Sequence, residues 1–435
     1  MAGIIHTTVP VNVSRRLLLT GAIGVFAGVA TTRVTIAQDG SATPASQEIP
    51  AGGPERLHSL LSMIPANPEV VEPQDGVLFY YADLKRQLDS LGIPPYEPGS
   101  EGTSARFNGA IRPLAAASVA YQYGNLPEFA ATFGFSALQA EETLSIGNPP
   151  NDLTIFRGGL PIDELPAIWE ASGYFRETGE SGVDIWTAGK EGELDLTTDI
   201  SQYGVGSLNN VAIFGDTVVF GRFYADVDAV ALQVSNPESS VADQEDVSQL
   251  LATLAEETVS AIAVTGSFLD LNSIMLPEAI EEMSSLVAES DDEIGTFPQP
   301  RSAIFAITAG ALSADFVPTG EGTPAATPAG EPEQSEGGVI QVRLVLDSEE
   351  DAAVAVAAVE YRWNTWNSMR TGAPYTELME IVTAEPDLVV SNVATIDCLE
   401  VRSAGVWIDI VLGRDLAAFA WSGEAPVEAT PTAAG

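Results

Sequence analysis

Residue types that carry most recognisable active-site chemistry are scarce in this 435-residue chain, which has one cysteine (Cys398), two histidines (His6 and His58) and two lysines (Lys85 and Lys190). A lone cysteine excludes an internal disulfide framework and any multi-cysteine zinc or iron–sulfur site. Positive charge is equally thin. The 18 basic residues face 61 acidic ones, a formal net charge of −43. Such a field repels phosphate backbones and anionic lipid headgroups, so nucleic acid and anionic membrane surfaces are excluded as partners. The rest of the composition, 45% hydrophobic and 18% charged, is that of a globular chain. A chain of this size buries a large core without a metal or a disulfide.

The motifs of common catalysis are missing too. No G-x-S-x-G elbow is present, and Gly204-Val205-Gly206-Ser207 lacks the trailing glycine. Neither lysine has a serine three residues upstream, where Ala82 and Thr187 stand. The same glycine cluster ends in Asn209 where a dinucleotide fingerprint needs glycine, and no Gly-Lys-Ser/Thr phosphate loop occurs. Asp347-x-Glu349-x-Asp351 opens like a calcium loop, but Ala352 and Ala358 replace its glycine and its closing glutamate. Helix capping accounts for those acids, and no cofactor or metal is expected. After removal of a leader, His58 is the sole imidazole, in an amphipathic helix-like segment, Glu55–Leu61. These absences favour a non-catalytic protein. Paired carboxylates are the one chemistry left, and no spacing rule in sequence identifies them.

The N-terminus carries an address. Ser14-Arg15-Arg16-Leu17-Leu18-Leu19 leads into an apolar stretch, Leu17–Ala30, and Thr35-Ile36-Ala37 offers small residues for a cut after Ala37. The Ser-Arg-Arg-x-Leu-Leu pattern resembles the twin-arginine export signal of bacteria and archaea, with Leu18 in place of the usual aromatic and Thr20 in place of the usual lysine. That resemblance implies delivery by the twin-arginine export machinery of a protein already folded. The alternative is an uncleaved N-terminal anchor, for which 14 apolar residues interrupted by three glycines are short of the roughly 20 a spanning helix needs. Cutting after Ala37 removes three basic residues and no acid, leaving a net charge of −46. The acids are dispersed, which points to a solvated acidic surface with at most weak, non-specific cation binding.

Linker-like composition marks 38–54, 318–338 and 423–435, rich in Pro, Ala, Thr, Gly and Glu and poor in large apolar residues. They bound a body in two parts, 55–317 and 339–422. The middle stretch either divides two domains or forms a disordered loop on one hairpin; the loop reading fits better, because only 84 residues follow it before the tail. The body reads as α+β, antiparallel sheets covered on one face by helices. Strand, acidic cap, helix and antiparallel strands recur at 153–222 and 339–412, as two related halves would. Strands are expected at Leu153–Arg157, at Val211–Phe214 and Thr217–Arg222 flanking a Gly215-Asp216 hairpin turn, and at Val259–Val264, Leu388–Val393, Ile396–Arg402 and Val406–Leu412. Helical segments are expected over the amphipathic Asp83–Leu91, at Ala229–Val234 with Asp226-x-Asp228 at its mouth, after a cap at Asp243, and from Ser348 to about Met369.

Trp363 and Trp366, with Tyr361 nearby, share a stripe of that long helix. Such stripes ordinarily pack a core; exposed, they are the candidate platform for a sugar or a partner. Cys398, inside a strand, reads as a small buried hydrophobe. The architecture is similar to that of uncharacterised bacterial exported proteins. It implies a secreted or cell-envelope protein that binds a ligand or partner. A carboxylate-based extracellular hydrolase acting on polysaccharide and an extracellular solute-binding protein are the alternatives.

Overall fold

The computed structural model describes residues 52–66, 78–97, 105–117, 123, 126–147, 151–189, 200, 203, 206–265, 269, 296–310, 338–368, 371–400, 406–412 and 417–420. The leader with Arg15, Arg16 and Ala37, most of the low-complexity stretch 318–338 and the tail 423–435 lie outside them. The strands are β1 (Leu78–Asp83), β2 (Glu142–Ile146), β3 (Leu153–Arg157), β4 (Phe175–Thr178), β5 (Asp184–Thr187), β6 (Asn210–Phe214), β7 (Thr217–Gly221), β8 (Thr258–Thr265), β9 (Ser302–Thr308), β10 (Val339–Val345), β11 (Met379–Pro386) and β12 (Val393–Glu400). The helices are α1 (Gly53–Leu61), α2 (Leu84–Ser90), α3 (Ala105–Ile111), α4 (Pro127–Phe133), α5 (Leu165–Ala171), α6 (Tyr224–Ser235), α7 (Glu245–Ala252), α8 (Glu349–Thr365), α9 (Val406–Leu412) and α10 (Ala417–Ala420).

Among the described residues, twelve strands form one antiparallel sheet, ordered β11-β12-β10-β9-β8-β1-β2-β3-β7-β6-β5-β4. The α+β class expected from the sequence is the observed one. Side chains alternate across the pleat. Leu78, Tyr80 and Ala82 of β1 enter one core cluster, and Phe79 and Tyr81 enter the other. Helices cover both faces, where a single covered face was expected. The first face holds Phe129 and Phe133 of α4, Trp169 of α5, Trp363 of α8 and Phe419 of α10. The second is packed by Leu57, Leu60 and Leu61 of α1, Val230 of α6, and Val247 and Leu250 of α7.

The sheet repeats one path. β1, β2 and β3 run outward from the centre, α5 crosses the first face, and β7 returns beside β3 with β6 outside it. β8, β9 and β10 run outward the other way, α8 crosses the same face, and β12 returns beside β10 with β11 outside it. β1 and β8 pair antiparallel at the seam. The first half adds the β4–β5 hairpin at its edge. Segment 311–337 joins β9 to β10, which pair with each other from Ile307–Ile340 to Ser302–Val345.

Several local expectations fail for identifiable reasons. Leu388–Val390 is not strand but the turn between β11 and β12, because the Asp387 carboxylate accepts the Val389 and Val390 N–H groups at 2.8 Å each. β11 was hidden by Glu380, Glu385 and Pro386, residues that suit an exposed edge. Val406–Leu412 is helical, since a short, mostly apolar run broken only by Asp409 has no period that separates strand from buried helix. α8 starts where Ser348 caps the Asp351 N–H but ends at Thr365. Asp243 caps a preceding 3-10 turn through the Ser240 N–H and hydroxyl, at 2.8 and 2.7 Å, and leaves the first turn of α7 to Gln244. Asp226 and Asp228 lie within α6, where Asp228 accepts from Glu180 N and Ser181 Oγ of the β4–β5 turn. Among the described residues the first helix opens at Gly53, inside the stretch read as linker.

Candidate functional site

The stripe residues of α8 separate in depth. Trp363 is 1% exposed and Trp366 3%, while Tyr361 is half-buried. The Trp363 ring stacks on Tyr375 at 4.6 Å and its Nε1 donates to the Met379 carbonyl at 3.0 Å, fastening α8 to β11. Trp366 lies under the Arg362 guanidinium at 4.8 Å, which also covers Phe297 at 4.4 Å. Both tryptophans therefore serve packing, and neither presents a face to a sugar.

What surfaces above Trp363 is a depression of about 500 Å³ between α8 and β11, lined by Glu360, Asn364, Thr376, Glu380, Ile381 and the indole edge. Its polar groups are two exposed carboxylates, an amide and a hydroxyl, with no basic residue. The set suits a cationic or hydroxyl-bearing group. Farther along β11, roughly 20 Å at strand rise, the hairpin turn holds Leu388 and Val389 at 93% and 88% exposure. The turn is hydrogen-bonded. Besides the Asp387 contacts, Asn392 Nδ2 donates to Gln249 Oε1 and to the Leu346 carbonyl, both at 3.0 Å. Val382, 58% exposed, adds a third aliphatic at the bulge between Ile381 and Thr383.

His58 stands on α1 with its Nδ1 3.3 Å from Ser62 Oγ. The likeness to a nucleophile–base pair ends there. Ser62 sits one turn along the same helix and spends its proton on the His58 carbonyl at 2.8 Å. Burial pushes the imidazole down, and the field of Asp243 offsets this only in part. Cys398 is buried in β12 and its thiol is pushed up to about 12, first by burial and then by Asp397. Among the described residues no group of three His, Cys, Asp or Glu side chains is placed to hold a metal ion, and no helix is long and apolar enough to cross a membrane.

One constellation was missed by sequence reasoning. Glu142, at the start of β2, is fully buried and accepts from Arg56 Nε at 3.0 Å, Tyr81 OH at 2.9 Å and Arg157 Nε at 2.6 Å. Arg157 reaches on to Ser59 Oγ at 2.9 Å and the Arg56 carbonyl at 3.2 Å. Asp83, also fully buried, lies 3.1 Å from Arg56 Nε through Oδ2, while its Oδ1 caps α2 at the Arg86 N–H. Burial opposes ionisation of Glu142, but Arg157 and Arg56 outweigh it and hold the carboxyl low. Asp83 goes the other way, raised by burial to about 7 despite Arg56. In sequence Asp83 showed only as a helix start. Glu142 and Arg157 end apolar strands, a position where a charge ordinarily meets solvent.

No family model matches the chain, and no curated protein matches it. A solved structure described as crystal form III of TP0453 is similar at 9% identity and a TM-score of 0.35, over 81% of this chain and 97% of that one. At that score the similarity assigns no role.

Proposed function

We propose that the chain is an exported, non-catalytic protein, secreted or held at the cell envelope, that engages a protein partner through its β11–β12 edge. The observation that carries this reading is the pair Leu388–Val389, set almost wholly in solvent on a turn closed by hydrogen bonds to Asp387. Two adjacent aliphatics so placed forgo about 2 kcal/mol each of burial. Residues 371–400 contain six acids (Glu377, Glu380, Glu385, Asp387, Asp397 and Glu400) and no Lys or Arg. Complementarity therefore calls for a partner with an apolar groove rimmed by basic residues, one of whose cations fits the Glu360–Glu380 depression. The twin-arginine-like leader supports delivery outside the cytoplasm. A polysaccharide hydrolase loses its tryptophan platforms to the core. A solute-binding protein is built as two lobes about a pocket, and one unbroken sheet is a poor match.

The test is a Leu388→Ser/Val389→Ser double variant in the producing cells. Fractionation and gel filtration of the exported pool should find the native chain retained with the envelope or in a complex, and the variant migrating as the free chain. Identical behaviour of the two, with equal melting temperatures, would refute the assignment.

A further inference from the structure

The two ends of the sheet are finished differently. At β11 the edge is interrupted by a bulge at Val382 and closed by Pro386, devices that discourage a further strand. The other end is the β4–β5 hairpin that the first half adds to the shared path. Its outer strand, β4, exposes all four side chains, and Phe175 is 68% exposed. Little burial holds β4, yet hydrogen bonds fix both its ends. Just before it, Tyr174 donates its N–H to the Trp169 carbonyl at 2.9 Å and its OH to the Leu208 carbonyl at 2.6 Å. Just after it, Gly179 N–H donates to the Val183 carbonyl at 2.9 Å, and Asp228 of α6 accepts from Glu180 N and Ser181 Oγ. Arg176 pairs with Asp184 across the hairpin.

Register shows which backbone groups face out. Gly179 N–H donates to Val183, and Ala188 N–H on β5's far side donates to Asn209 of the β6 side. Antiparallel alternation then turns the N–H and C=O of Phe175 and Glu177 inward to Thr187 and Ile185, and those of Arg176 and Thr178 outward to the free edge. The side chains alternate as well. Phe175 and Glu177 stand two residues apart on the second face of the sheet, where Ile185 packs with Val227 of α6. The charge around them is one-sided. Residues 170–187 hold four acids (Glu170, Glu177, Glu180 and Asp184) and one base, Arg176, which Asp184 already pairs.

We propose that β4 is a docking edge for an extended basic segment of a partner protein, which adds antiparallel as a further strand. Its backbone exchanges hydrogen bonds with Arg176 and Thr178, an apolar side chain meets Phe175, and a lysine or arginine two residues away meets Glu177. A second copy of this chain is the poorer occupant. A two-fold axis normal to the sheet and centred on β4 sets Arg176 or Glu177 directly opposite its own copy, and each chain brings a net charge of −43. This surface lies at the opposite end of the sheet from the Leu388–Val389 turn and is independent of it.

Fluorescence anisotropy of a fluorescein-labelled Lys-Thr-Lys-Thr-Phe-Thr peptide, titrated with the whole protein, reads the docking. The first threonine of this peptide pairs with Thr178 and the second with Arg176. Saturable binding is expected, and about tenfold weaker binding when both lysines are replaced by glutamate. Thr178→Pro removes an outward N–H without touching the β5 ladder, so it should keep the native melting temperature and lose the peptide. If that variant does not fold, the peptide decides alone: N-methylation of its first two threonines should abolish binding, and N-methylation of its lysines should not. No saturation at millimolar concentration, equal affinity for the acidic peptide, or indifference to threonine N-methylation would overturn the proposal. So would gel filtration showing a dimer of the native chain that Thr178→Pro dissociates, which would give the edge to a second copy.

Discussion

Glu142 accepts from three side chains at full burial, and a residue so placed is worth most when it is removed. Replacing it by Gln puts an amide N–H against a guanidinium and leaves buried cations short of an anion. E142Q should lose about 3 kcal/mol of unfolding free energy by urea titration, with little relief from salt, because buried pairs are poorly screened. Proton linkage at single residues has a definite sign. Asp83 is raised to about 7, so its contribution is whole below its ordinary 3.8 and is lost as the pH rises through 7. Glu142 is held low, so its contribution is lost as the pH falls below its ordinary 4.5. His58 is pushed down, so it costs stability as the pH falls through 6.5. The Asp83 contribution to unfolding free energy should therefore decline between about pH 4 and 7 by up to ~1.4 kcal/mol per unit and level off above 7, and D83N should abolish that decline. Cys398 belongs to this scale as well. With its thiol at about 12, it should resist a thiol-reactive probe at pH 8 in the native protein and react at once in guanidinium chloride.

Elements were legible in proportion to how completely their local signals agreed. β3, the β6–β7 hairpin around Gly215-Asp216, β8 and the start of α8 at Ser348 each combine pattern, turn chemistry and cap, and each stands where the sequence puts it. Gly215, at φ +64°, takes the left-handed conformation that a two-residue turn demands. The β11–β12 corner was misread because the β-branched residues Val389 and Val390 sit in a turn, while the strand before it carries Glu and Pro. Here an exposed edge and one Asp carboxylate outweigh propensity. The depression between α8 and β11 was legible only as a helical tryptophan stripe; the acids lining it come from two elements whose pairing no sequence pattern encodes. Two predictions act on whole elements. Gly53→Ala forces α1 off the Thr258 carbonyl and should cost at least about 2 kcal/mol. Leu388→Ser/Val389→Ser should change the unfolding free energy by no more than ordinary surface substitutions do, about 0.5 kcal/mol.

The whole molecule joins two arms of one path at the β1–β8 seam, with helices on both faces and net charge far below zero. The recurrence of strand, helix and returning hairpin was visible in the order of elements, but the seam was not, because strand partners far apart in sequence leave no local trace. Acidity on this scale sets a global expectation. Self-repulsion among dispersed carboxylates is screened by salt, so the melting temperature should rise from dilute to molar salt. The same charge, with the leader that resembles a twin-arginine signal, underlies the reading of an exported protein that meets its partner outside the cytoplasm. Peptide mapping of the mature N-terminus from fractionated cells tests that reading most directly. A chain beginning at Gln38 outside the cytoplasm, and retained inside at full length when Arg15 and Arg16 are both changed to Lys, is the predicted result. A chain that keeps Met1 and stays in the cytoplasm with both arginines intact would contradict it.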